Sequence, residues 1–138
     1  MNRKEFVQQS FFGLTVFATG VGLAHCLGGC TSSTAPTDVD ITLDLTAPEN
    51  AALKQVGGSL RTNGIIVARV AESEYIAVQS ACTHEGATIR WQQSANQFQC
   101  PEHGAAFSRT GAVARGPART NLVSYTATVN GTTLRITS

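Results

Sequence analysis

The residues of this chain best suited to chemistry are two short pairs, Cys82-Thr83-His84 and Cys100-Pro101-Glu102-His103, with fifteen residues between His84 and Cys100. Each pair offers one thiolate sulfur and one imidazole nitrogen from a single tight loop. Thiolate suits iron-sulfur clusters and zinc, while imidazole suits iron, zinc and copper, so this donor set fits either a cluster or a lone zinc. Ligand order separates the two. Zinc fingers of the Cys₂His₂ kind group cysteine with cysteine and histidine with histidine, whereas here each pair is mixed. A mixed pair lets each loop supply one ligand to each of two irons, one iron held by sulfur and the other by nitrogen. Beyond Cys30 the chain has no other cysteine or histidine. A Cys82 to Cys100 disulfide would be ordinary in an exported domain, but it would leave His84 and His103 without a role.

The pattern Cys-x-His-x15-Cys-x-x-His resembles the Rieske [2Fe-2S] family, in which two histidines replace two cysteines on one iron. The resemblance covers roughly residues 41 to 138 and extends past the ligands. Cys82-Thr83-His84-Glu85-Gly86 and Cys100-Pro101-Glu102-His103-Gly104 look like the two cluster loops, and Gly111 and Gly116-Pro117-Ala118 look like the following turn and proline loop. It implies one [2Fe-2S] cluster per chain. Cys82 and Cys100 would bind the inner ferric iron, and His84 and His103 would bind the outer, redox-active iron through Nδ1. Electrons would leave by the outer histidine edges to a redox partner protein, a cytochrome or an oxidase subunit. With both histidines committed, no substrate chemistry is expected of the chain itself.

The chain departs from the respiratory members of that family. Those proteins carry one further cysteine in each loop, joined as a staple, where this chain has Ala87 and Glu102. They also have a serine and a tyrosine that donate to cluster sulfurs, where this chain has Ala105 and Phe107. Donors to sulfur stabilise the more negative reduced cluster, so their loss lowers the potential, and a carboxylate at Glu102 acts in the same direction. The expected potential lies in the lower half of a range of about −150 to +300 mV. Glu85 stands where quinol-oxidising relatives have an apolar residue, and an unpaired carboxylate is costly to bury, which argues against docking in a quinol pocket. Glu85 and Glu102 are expected as solvated charges that modulate the metal, not as an acid-base pair. Within electron transfer the candidates are the iron-sulfur subunit of a quinol:cytochrome c reductase and the small subunit of an arsenite-oxidase-like enzyme. A zinc-stapled structural or binding lipoprotein is the reading from a different class.

The N-terminus places this chemistry at a membrane. Arg3 and Lys4 precede Phe11 to Leu27, a stretch without formal charge, which is the layout of an export signal over residues 1–29. Asn2-Arg3-Lys4-Glu5-Phe6-Val7 resembles a twin-arginine motif, suited to a protein that crosses the membrane already folded around its cofactor. Leu27-Gly28-Gly29-Cys30 resembles a lipobox, with Cys30 as the lipid attachment site; Cys26 fits less well because His25 precedes it. The alternative is a single transmembrane helix from Phe11 to Cys30, long enough to span but weakened by five glycines. Either arrangement leaves the domain exported, on the periplasmic side. Residues 30–40, rich in Ser and Thr, read as a flexible polar tether. With Arg3, Lys4 and Glu5 set apart, the 10 basic and 9 acidic residues of the chain fall to eight of each. No basic patch suggests nucleic acid.

The elements that must position the two loops read as strands. At 138 residues there is room for one domain, expected over 41–138. Ile41 to Leu45 alternates, Gly64 to Val70 is a continuous apolar run, and Tyr75 to Val78 delivers the chain to Cys82. Thr88 to Trp91 and Gln97 to Gln99 would form a hairpin around Gln93 to Asn96, carrying both ligand loops toward one end, with Trp91 and Phe98 as a packed pair. Leu122 to Val129 and Thr132 to Thr137 flank an Asn130-Gly131 turn, a strong hairpin signal. Ala51 to Val56 fits a helical turn or a strand, and Gly57-Gly58 an ordinary turn. The expected fold is all-β, an antiparallel sandwich-like Rieske core with a cluster-binding hairpin subdomain.

Overall fold

A computed structural model describes residues 34–138. The stretches expected to be an export signal and a lipobox, with Cys30, lie outside the described residues. The described residues form ten strands in two antiparallel sheets. The larger contains β1 (Asp40–Asp44), β2 (Ser59–Thr62), β3 (Ile65–Ala71), β4 (Glu74–Gln79), β9 (Ser124–Asn130) and β10 (Thr133–Thr137), in the order β1-β10-β9-β4-β3-β2. The smaller contains β5 (Arg90–Gln92), β6 (Gln97–Gln99), β7 (Ala106–Ser108) and β8 (Val113–Arg115), in sequential order. The all-β expectation therefore holds, and the part that carries the two Cys-His loops is a four-stranded sheet, larger than a single hairpin.

Topology explains how the loops are carried. β4 and β9 are neighbours, with Ala77 opposite Tyr125 and Val78 opposite Ser124. Everything between them, including both Cys-His loops and the small sheet, is an insertion whose two ends meet. Gln79, 3% exposed, closes that junction. Its backbone N–H donates to the Val123 carbonyl at 2.8 Å, its side-chain Oε1 accepts from the Val123 N–H at 2.9 Å, and its Nε2 donates to the Ala81 carbonyl at 2.7 Å. A buried amide is tolerated only when its donors and acceptors are matched, and here they lock the neck of the insertion.

β3 reads as a continuous apolar run because it is buried on both faces. Ile65 and Val67 point into a core shared with Leu53, Tyr125, Leu134 and Ile136. Ile66 and Ala68 point the opposite way, into a second core with Cys82, Trp91, Phe98, Cys100 and Phe107. Period-2 alternation on a strand sends neighbouring side chains to opposite faces, so one strand serves both halves of the molecule. Trp91 and Phe98 face each other across β5 and β6, with ring centroids 4.9 Å apart and edge-to-face, the packed pair expected from the sequence.

Of the two readings of Ala51 to Val56, the helical one holds for its first four residues, within a 3₁₀ helix, Pro48–Lys54. Two details differ from the sequence reading. The last hairpin turns on Gly131-Thr132, because Asn130 is still paired with Thr133; Gly131, with φ +60, takes the first central position, where a type II′ turn requires glycine. The tether expected over 30–40 is held from Pro36 onward: the Tyr125 hydroxyl donates to the Pro36 carbonyl at 2.8 Å, and Val39 is buried. The folded unit thus begins before residue 41.

Candidate metal centre

The two Cys-His loops are built on one backbone plan. In the first, the Cys82 N–H donates to the Ala87 carbonyl at 2.7 Å and the Gly86 N–H donates to the Cys82 carbonyl at 2.8 Å. In the second, the Cys100 N–H donates to the Ala105 carbonyl at 2.8 Å and the Gly104 N–H donates to the Cys100 carbonyl at 3.1 Å. Both closing glycines are left-handed, with φ +78 at Gly86 and +74 at Gly104, a conformation that costs glycine little and other residues more. A five-residue turn of the same shape therefore presents each cysteine. The histidine sits two residues after its cysteine in one loop and three after it in the other.

The sulfurs point in and the imidazoles point out. Cys82 is 0% and Cys100 2% exposed, and no disulfide joins them, so the disulfide alternative is not formed. His84 and His103 are exposed, with ring centroids 5.1 Å apart. Burial pushes the Cys82 thiol above its ordinary range, the His84 amide N–H aimed at the sulfur opposes that rise, and the adjoining Cys100 thiol adds to it. Such a buried thiol resists ionisation in water, and a metal that replaces the proton removes the penalty. Two buried sulfurs beneath two solvent-facing imidazoles fit a binuclear centre with one sulfur-held and one nitrogen-held iron.

The surroundings match the sequence reading at several positions. Ala105 and Phe107, both fully buried, pack into the core that contains the cysteines and bring no hydroxyl to the sulfurs. Glu85 and Glu102 are exposed. The Glu85 carboxylate reaches His103 Nε2 at 3.6 Å, from the opposite loop, which sets an acidic charge beside a candidate ligand. No sequence signal pointed to Thr83, whose hydroxyl donates to the Thr120 carbonyl at 2.6 Å, or to Arg115, whose Nε donates to the Gly104 carbonyl at 3.0 Å. Both acceptors are backbone groups, and backbone acceptors leave no trace in residue type. The proline loop at Gly116-Pro117, a cis peptide, brings Ala118 into the same core.

With this geometry in hand, comparison with known proteins is decisive. The family model described as the Rieske [2Fe-2S] domain matches residues 42–126. The chain belongs to that family. As a Rieske domain it binds one [2Fe-2S] cluster and serves electron transfer. It is 31% identical over 144 residues to the cytochrome b6-f complex iron-sulfur subunit of Synechococcus elongatus, covering 94% of this chain and 79% of that one. A cyanelle subunit of the same complex from Cyanophora paradoxa is 41% identical over 58 residues, a match that spans only 24% of its length. Among solved structures, the plasma membrane Rieske protein PetC3 of Synechocystis PCC 6803 is similar at TM-score 0.51 and 32% identity, over 59% of this chain and 85% of that one. The ferredoxin of a carbazole dioxygenase from Nocardioides aromaticivorans shares the fold at TM-score 0.56 and 22% identity, over 74% of this chain and 98% of the ferredoxin.

Proposed function

We propose that Cys82, Cys100, His84 and His103 hold the [2Fe-2S] cluster, and that the domain is a membrane-tethered, periplasmic carrier passing single electrons between redox partner proteins. The observation that carries this reading is the division of the donors, with both thiols buried and both imidazoles exposed on matched loops. When bound, the cluster supplies a one-electron redox centre. The protein's own part is to keep the sulfur side dry, through Ile89, Ala105 and Phe107, and to leave the histidine edges open to a partner. A short path from the imidazoles to the surface serves electron exchange without a substrate pocket. Electron paramagnetic resonance of the reduced protein tests this: a rhombic signal accompanied by two irons per chain is expected, and a colourless protein with one zinc would sink it.

The tip is polar. Glu85, with its side chain 56% exposed, would need a partner group or protonation to enter an apolar quinol site. A cytochrome or a polar oxidase subunit therefore suits the tip better than quinol. The resemblance to cytochrome b6-f iron-sulfur subunits favours a place in a quinol:cytochrome reductase as the second reading. A stopped-flow assay with a soluble quinol separates them, since rapid cluster reduction by quinol alone supports the second. Voltammetry is expected to give a potential in the lower half of the range of about −150 to +300 mV; a value near its top contradicts the absence of donors at Ala105 and Phe107.

The tether is assigned to Cys30, acylated after removal of residues 1–29. No helix among the described residues is long and apolar enough to cross a membrane, and Phe11 to Cys30 lies outside them. Mass spectrometry of the mature N-terminus decides: a lipid on Cys30 supports the anchor, and an intact Met1 overturns it in favour of the transmembrane alternative. Exchanging Arg3 and Lys4 for uncharged residues is expected to abolish export.

A further inference from the structure

Two ligand loops without a covalent staple still have to be held in register, because a donor displaced by a fraction of an ångström weakens a metal centre. The contacts that do this must join segments far apart in sequence. Thr83 Oγ1 donates to the Thr120 carbonyl at 2.6 Å, across 37 residues. Arg115 Nε donates to the Gly104 carbonyl at 3.0 Å. Thr120 and Arg115 bracket one short segment, 116–119, whose Ala118 is 3% exposed and packs into the core that contains Cys82 and Cys100. The first loop is thus fastened to the far end of this segment and the second loop to its near end.

We propose that Thr83 and Arg115 are positioning residues, clasping the two cluster loops through residues 115–120 in place of the missing staple. Thr83 lies between Cys82 and His84, so holding its side chain fixes two ligands at once. Gly104 follows His103 and closes the second loop by donating to the Cys100 carbonyl, so Arg115 fastens the same residue that shapes that loop. The segment between them is anchored independently, by Ala118 in the core and by the Leu122 N–H, which donates to the Gly111 carbonyl at 2.8 Å. A clasp made of side chain to carbonyl bonds holds the loops while remaining reversible, unlike a disulfide. The inference rests on a bound cluster and is independent of which partner takes the electron, so a failed partner assignment leaves it standing.

The test uses the holoprotein in excess EDTA, following loss of visible absorbance, together with the resonance spectrum of the reduced cluster. Thr83→Val removes the hydroxyl at constant shape, Thr83→Ser retains it, and Arg115→Met removes the second donor. Lys54→Met is the control, since Lys54 Nζ makes a comparable exposed bond, to the Thr46 carbonyl at 3.0 Å, between the 3₁₀ helix and the turn after β1. Thr83→Val and Arg115→Met are each expected to lose the cluster about fivefold faster than the parent, the factor for one net hydrogen bond, with shifted g-values. Thr83→Ser is expected to restore both the rate and the spectrum, and Lys54→Met to change neither. Parental loss rates and spectra in Thr83→Val and Arg115→Met overturn the proposal, as does Thr83→Ser behaving like Thr83→Val. If Thr83→Val yields no holoprotein, Arg115→Met carries the test on the same two readouts.

Discussion

The strands of the large sheet run from four to seven residues, whereas every strand of the small sheet has three. The first sheet curls around Leu53, Tyr125, Leu134 and Ile136 and owes its order to apolar burial along alternating strands. The second, with strands of three residues, does not enclose a core of its own. It borrows one wall of its core from Ile66, Ala68 and Val78 of the large sheet, and another part of that core is Cys82 and Cys100. One half is thus a platform that folds by burial, and the other is an insertion held by its neck and by the wall it borrows. This division predicts that the platform survives the loss of the metal site.

The largest effect expected is at the cysteines. Cys82→Ala or Cys100→Ala removes a proposed sulfur ligand, and we expect complete loss of cluster absorbance and of the reduced resonance signal. The large sheet should persist, with its far-ultraviolet circular dichroism retained. A variant that unfolds throughout would break the comparison, because it would make the platform dependent on the metal.

Next come the two cores. Leu134 is fully buried in the platform, and Leu134→Ala should cost about 2–5 kcal/mol, a large share of a typical stability of about 5–15 kcal/mol. Phe107 is fully buried in the insertion, and Phe107→Ala should cost about 3–5 kcal/mol. The two differ in what they take with them. Molecules of Leu134→Ala that remain folded should keep the parental cluster spectrum, whereas Phe107→Ala should lose the cluster before the platform unfolds. Urea titrations read at the cluster absorbance and by circular dichroism distinguish them: coincident curves for Phe107→Ala would show the two halves to be one cooperative unit.

A smaller effect is expected at Gly58, where the helix Pro48–Lys54 meets β2. A Cβ there would sit 1.7 Å from the Ala52 carbonyl oxygen, so Gly58→Ala forces backbone apart and should cost about 1–3 kcal/mol. The cluster spectrum should not change. A changed spectrum would show strain crossing from platform to insertion.

What the sequence revealed divides along the same line. The platform was legible because its signals are periodic and local: Ile41 to Leu45 alternates, and β3 is apolar throughout because both its faces are covered. The candidate metal site was legible because the residues proposed to form it are chemically rare, the only cysteines and histidines after Cys30. Contacts through backbone carbonyls were not. Gln79, Thr83 and Arg115 are ordinary polar residues in sequence, and their acceptors at Ala81, Thr120 and Gly104 could be any residue type. Gly58 read as a plain turn glycine because the carbonyl that excludes a side chain arrives from six residues earlier in space, not from its own backbone angles. The Asn130-Gly131 turn was misplaced by one residue for a related reason: both Asn130 and Gly131 tolerate turns, and only the pairing of Asn130 with Thr133 settles which of them lies inside the strand.

The smallest effect tests the platform's outer face. Asp40 on β1 and Arg135 on β10 are diagonal neighbours, since Asp40 pairs with Thr137 and Thr42 with Arg135. Arg135 donates through Nε to Asp40 Oδ1 at 2.9 Å and through Nη2 to Oδ2 at 2.7 Å. These hydrogen bonds hold the Asp40 carboxyl below its ordinary range. A depressed carboxyl stabilises the fold above the ordinary aspartate pKa, near about 3.9, and that contribution fades as pH falls through the lower folded value. Both side chains are more than half exposed, so solvent and salt screen the pair. Asp40→Asn should therefore lower the urea midpoint slightly at neutral pH, less in high salt, and not at all once Asp40 is protonated in the parent. A loss as large as that of Leu134→Ala would mean that the edge strand is held by this pair and not by Ile41, Leu43 and the buried Val39 behind it, and the account of the platform as a structure made by burial would fail at its edge.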